Sequence, residues 1–116
     1  MNITSEELLK EARALEPQLQ QWRRTLHRHP EVGFDLPHTK ELVKKALTEM
    51  GYEPKDCGKA GVIALAGSKK PGKTILLRAD MDALPIPEDS GEEFSSEVPG
   101  KMHGCGHDMH TAMLLG

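Results

Sequence analysis

Basic charge is not in excess in this chain. Fifteen Lys and Arg stand against eighteen Asp and Glu, for a formal net charge of -3. A nucleic-acid footprint shows as a basic patch on a basic chain, so the balance argues against that partner. No apolar run approaches the roughly 20 residues that span a membrane. The N-terminal stretch Met1 to Glu7 is acidic and polar, which is not the pattern of a signal peptide. Cysteine is scarce: Cys57 and Cys105 are the two, enough for one disulfide. These features point to a cytoplasmic chain that keeps its thiols reduced. The 116 residues suffice for one small domain with a modest core.

One stretch is dense where the rest is sparse. Met102-His103-Gly104-Cys105-Gly106-His107-Asp108-Met109-His110 holds three of the six histidines, one cysteine, one aspartate and two glycines. Thiolate sulfur, imidazole nitrogen and carboxylate oxygen are the donors that bind transition metals. Cys105 and His107 stand at i and i+2. In an extended or looped backbone two such residues can point the same way, and Gly106 lets the chain turn between them. Asp108 and His110 read as the mouth of a helix, with Asp108 as N-cap for Thr111 to Leu115.

Upstream, Thr4 and Glu7 form a capping box. Leu8, Ala12, Leu15, Leu19, Trp22 and Leu26 then recur in steps of four and three, the stripe of an amphipathic helix that packs on a core. Pro17 should kink or divide it. His27-Arg28-His29-Pro30-Glu31 closes that helix and reads as a solvated end. Pro37 suits the first turn of a second helix. Its buried face would be Leu42, Val43, Ala46, Leu47 and Met50, its wet face Lys40, Glu41, Lys44, Lys45 and Glu49, and Gly51 ends it. Three strands are predicted: a weak one over 52–57, Val62 to Ala66, and Thr74 to Ala79, the strongest. Unbroken apolar runs suggest strands covered on both faces, as in an α/β sheet. Glu88-Asp89-Ser90-Gly91-Glu92-Glu93 reads as a solvated acidic loop.

Gly104 to Gly116 closely resembles the metal-ligand signature of the M20 metallopeptidase family, in its amidohydrolase branch of N-acyl-amino-acid amidohydrolases and hippurate hydrolases. Arg24 to Phe34 and Leu77 to Pro85 resemble the same branch, in the same order. The resemblance implies an N-terminal part of a three-layer zinc-exopeptidase-like α/β catalytic domain: two helices, about three strands and the start of a third helix. It implies that residues 1–116 are a partial catalytic domain without the dimerisation domain of the longer parent, itself a homodimer. It implies two divalent ions, zinc or manganese, with cobalt or nickel as alternatives. Cys105 and His107 would supply part of their shell. The reaction would be hydrolysis of the amide bond of a small N-acyl amino acid, with a glutamate beyond Gly116 as proton shuttle. No catalytic residue is expected within the chain, and Glu92-Glu93 precedes the motif where the family's glutamate pair follows it.

Other branches draw a metal ligand from a His-x-Asp motif where this chain has Arg78-Ala79-Asp80. Asp80 is therefore read either as a ligand or as a support behind the ligands. Asp82 is read as a turn or cap residue or, like Asp108, as a possible support behind the ligands. His103 would flank the site, and His110 would face substrate or solvent. A second reading is a non-catalytic module whose structural zinc uses Cys57, His103, Cys105 and His107, since such a site needs about four protein ligands.

Overall fold

The computed structural model describes residues 2–116. Among them, α1 (Ser5–Arg28), α2 (Pro37–Glu49), β1 (Lys55–Cys57), β2 (Gly61–Ile63) and α3 (His107–Leu115) follow in order. The element set is that of part of an α/β fold. Among the described residues, no helix is long and apolar enough to cross a membrane.

Helix α1 begins at the capping box. Thr4 Oγ1 accepts from the Glu7 N–H at 3.2 Å, and the Thr4 N–H donates to Glu7 Oε2 at 2.8 Å. Pro17 does not divide the helix, contrary to expectation. The carbonyl that a proline frees, here that of Arg13, lies in an exposed turn where water can reach it. The apolar stripe is buried only toward its end. Leu8 and Leu15 are exposed, Leu19 and Trp22 half-buried, Leu26 buried. Burial begins where α3 lies over α1: Leu19 packs so closely on Gly116 that a Cβ there would sit 3.1 Å from its methyl carbons.

Helix α2 has Pro37 in its first turn and Leu36 at its N-cap, which offers no side-chain acceptor. Glu31 supplies one from outside. Its carboxylate accepts from the N–H groups of His38 at 3.2 Å and Thr39 at 2.6 Å. Val43 and Ala46 are buried, while Met50 stays exposed. Gly51 follows at φ 92°, the left-handed turn that glycine allows at a helix end. Strands β1 and β2 form an antiparallel pair, with Asp56 opposite Val62. Lys40 and Lys44 reach Asp56 at 2.9 and 2.6 Å and tie α2 to β1.

The segment from Thr74 to Ala79, predicted as the strongest strand, forms no ladder. A strand is stable only against a neighbour, and the β1–β2 pair offers this segment none. Ile75, Leu76 and Leu77 are 81, 80 and 71% exposed. Pairing resumes just after it. The Ala83 N–H donates to the Glu31 carbonyl at 2.8 Å, and Leu84 exchanges both backbone bonds with Met102. Residues 82–84 are thereby held between the end of α1 and the loop that leads to α3.

The apolar core is thin. Of its buried members Leu26, Leu36, Val43, Ala46, Ala60, Ala83 and Ala112, most are alanines, which bury little area. The chain exposes 8777 Å², against roughly 6,300 Å² for a compact chain of this mass. What fastens α1 to α3 is polar. Asp108, 1% exposed, accepts from Arg23 Nε and from His27 Nδ1, both at 2.8 Å. The other nitrogen of His27 faces Glu88, at 2.9 and 3.0 Å from its two oxygens. Both ring nitrogens of His27 thus face carboxylate oxygens, which accept when ionised. Glu88 also accepts from Ser90 Oγ and from the Ser96 N–H. Arg23 and His27 are thus drawn together with the Asp108 and Glu88 carboxylates in one network.

Two outcomes are expected from this architecture. The uncovered Ile75-Leu76-Leu77 run should drive self-association. Light scattering should show mass rising with concentration, and Leu76→Lys should shift the chain toward monomer. The second concerns acid. Burial alone would raise the Glu88 carboxyl, but the bonds from Ser90, His27 and the Ser96 N–H outweigh it and hold it at about 2, below its usual 4.5. A depressed carboxyl stabilises the fold above its unfolded value and loses that contribution as pH falls toward the folded one. Melting temperature should therefore drop between pH 4.5 and 2. The drop should be shallower in Glu88→Gln, though not absent, because Lys44 and Lys40 hold Asp56 at about 2 as well.

Candidate metal site

The turn before α3 presents the donors. Gly106 occupies the N-cap position at φ 83°. An L side chain is strained there, although nothing crowds a Cβ. Gly104 is constrained differently. A Cβ at that position would come within 2.9 Å of Ile86 Cδ1 and 3.3 Å of Leu84 Cδ1. Between the two glycines stands Cys105, exposed and free, as is Cys57.

His107 opens α3 with its ring aimed back at the 82–84 segment. Its Nδ1 lies 2.9 Å from the Asp82 carbonyl and 3.0 Å from Asp82 Oδ1. A carbonyl can only accept, so Nδ1 bears the hydrogen. The lone pair of the neutral ring then sits on Nε2, free to coordinate. Metal-binding histidines are usually held this way, with one nitrogen donating to a carbonyl or carboxylate. Thiol sulfur and imidazole nitrogen two residues apart suit zinc or another first-row divalent ion. Among the described residues, however, no three His, Cys, Asp or Glu side chains converge to hold an ion. Two donors are a partial set. The four-ligand zinc alternative is not assembled: Cys57 lies exposed on β1, whereas His103 is buried.

The remaining candidates separate. Asp80 turns to Arg78, its Oδ1 2.6 Å from Nη2, and the Arg78 guanidinium lowers its carboxyl below the usual range. The Asp80 backbone carbonyl accepts from Thr111 Oγ1 at 3.0 Å. It is Asp82, read from sequence as a turn residue, whose side chain meets His107. Asp108 is not the N-cap of α3, because Arg23 and His27 draw its carboxylate onto α1. His110 is exposed, its ring centroid 5.9 Å from that of His107. His103 is buried 6.4 Å from the His27 ring, and neither of its nitrogens has a partner. Burial pushes its imidazole below the usual histidine range, against the pull of Asp108.

Sequence reasoning missed His27 and Glu88. Both were read as solvated, yet their side chains are 3 and 4% exposed. A histidine beside Leu26 at the end of an apolar stripe was the available signal for His27. Glu88 carried none within its acidic run.

The chain is similar to known proteins along most of its length. The family model for peptidase family M20/M25/M40 matches residues 76–116. An N-acyl-L-amino acid amidohydrolase of Geobacillus stearothermophilus is 44% identical over 98% of this chain and 31% of its own length. Thermostable carboxypeptidase 1 of Saccharolobus solfataricus is 45% identical over 96% of this chain and 29% of its own. A solved Bacillus subtilis structure, described as a dinuclear metal-binding peptidase of the M20 family, superposes with a TM-score of 0.80. It is 42% identical and covers 89% of this chain, which covers 29% of it. The chain thus spans under a third of the length of the relatives it matches. Matched in sequence along nearly its whole length, and in fold, by members of one family, this chain belongs to the M20 peptidases.

Proposed function

We propose that this chain carries part of the metal centre of an amidohydrolase that cleaves the amide bond of small N-acyl amino acids. The observation that carries the reading is the bond from His107 Nδ1 to Asp82, which leaves Nε2 available two residues along the chain from the exposed, free Cys105. Cys105 and His107 would hold a divalent ion, with Asp82 orienting the imidazole. When bound, the ion polarises the acyl carbonyl and makes water a stronger nucleophile. Cys105 contributes as thiolate, a soft anionic donor, and His107 as a neutral ring. Asp108 is kept out of the proposed shell because it is buried, with its Oδ2 held by Arg23 and His27 and its Oδ1 enclosed without a partner. Two such centres, as in the Bacillus subtilis relative, need more donors than converge here. We assign the missing donors and the proton-transfer glutamate to sequence outside these 116 residues, which we read as a partial catalytic domain of a longer, dimeric enzyme. Zinc or manganese is the proposed metal, and the thiolate favours zinc.

Added zinc should slow alkylation of Cys105 but not of Cys57, as read by mass spectrometry of the labelled peptides. Equal rates at Cys105 with and without zinc would remove it from the ligand set. The isolated chain should release no amino acid from N-acetyl or N-benzoyl substrates above a metal-only blank. The loss of a positioned base alone costs about a hundredfold or more. Turnover abolished by Cys105→Ala would show instead that a second copy completes the site.

A further inference from the structure

We infer that His27 is a positioning residue for the metal-ligand turn, acting through Asp108 while touching neither donor. The inference rests on the reading of Cys105 and His107 as ligands. Helix α3 lacks the devices that normally fix where a helix begins and which way it faces. Its N-cap is Gly106, with no side-chain bond to the first turn. Its sequence, HDMHTAMLL, mixes polar and apolar residues around the axis, and Met109, Met113 and Leu114 are exposed.

What anchors the first turn is Asp108, the residue after His107. Its carboxylate is caught by His27 Nδ1 and Arg23 Nε at 2.8 Å each. His27 is itself held from behind by Glu88, which the Ser96 N–H and Ser90 fix in turn. Buried ion pairs add little net stability compared with apolar packing, because desolvation offsets the attraction. They do select one arrangement, since any other leaves a charge unpaired. On the far side of the same turn, Asp82 fixes the His107 ring. The donor is therefore set from two directions, its ring by Asp82 and its backbone by the line from Glu88 through His27 to Asp108. Groups behind metal ligands commonly cost 10- to 100-fold in affinity when removed.

The test uses cobalt(II) alone as probe, titrated into the 116-residue chain and read by the near-ultraviolet thiolate-to-cobalt band. His27→Gln can serve one carboxylate but not both, and should bind cobalt about tenfold more weakly or worse. Val43→Ala, a core truncation on α2, serves as the stability control and should leave the affinity unchanged. Unaltered affinity in His27→Gln would overturn the inference, as would an equal loss in Val43→Ala, since the network would then be structural only. Should His27→Gln fail to fold, Glu88→Gln decides by the same criterion, with a severalfold loss expected. A parent chain without a thiolate band would refute the ligand reading itself, an outcome distinct from a band that His27→Gln leaves unmoved.

Discussion

A carboxylate removed from water must find its counter-charges, and in this molecule that requirement falls on Asp108. Burying an unpaired ion costs several kcal/mol, a large part of the stability of a domain this size. Its partners Arg23 and His27 stand one helical turn apart on α1, so they present themselves to the same side. Helix α3 is therefore seated on α1 where Asp108 Oδ2 meets both Arg23 and His27, although its Oδ1 is left without a partner. With that seat taken, His107 meets the 82–84 segment, which is itself zipped to Glu31 and Met102. The orientation of one imidazole is thus traceable to a charge balance on its sequence neighbour.

The thin core gives this polar network more weight than it would have elsewhere. Alanines dominate the buried apolar residues, while Ile75, Leu76 and Leu77 lie open to solvent. The apolar run at 75–77 is uncovered, and among the described residues the proposed donors find no third partner. The polar fastening of α1 to α3 is by contrast made within the chain, with Arg23 and His27 meeting Asp108 and His27 meeting Glu88. That is why a geometrically defined imidazole can exist on so lightly packed a scaffold.

Much of this was legible in the sequence, and the failures have a common cause. The capping box at Thr4 and the two long helices were readable because local spacing encodes them. The β1–β2 pair was approximately placed. Thr74 to Ala79 misled because strand propensity says nothing about whether a partner strand is at hand. Asp108 looked like an N-cap because a short polar side chain before an apolar run usually is one. Its actual partners are 81 and 85 residues away in sequence. Glu88 and His27 were hidden for the same reason: a charged residue is solvated until a distant counter-charge is found, and one sequence does not reveal that distance. Asp80 and Asp82 stood close enough for either to serve His107, and only the backbone path through residues 82–84 separates them.

The glycines on either side of Cys105 look interchangeable on paper, but the restrictions on them differ in kind. At Gly104 the restriction is one of volume, imposed by the tips of Ile86 and Leu84. At Gly106 it is one of handedness, imposed by a backbone angle that disfavours L-residues at a cost of about 1–2 kcal/mol. A larger residue at 104 can be accommodated by trimming a neighbour, for example at Ile86. No change among the neighbours relieves 106, because the conflict lies within the residue's own torsion. Descent can therefore explore the first position through paired substitutions, whereas the second favours glycine, or an Asn or Asp that tolerates the left-handed region, unless the turn is redrawn.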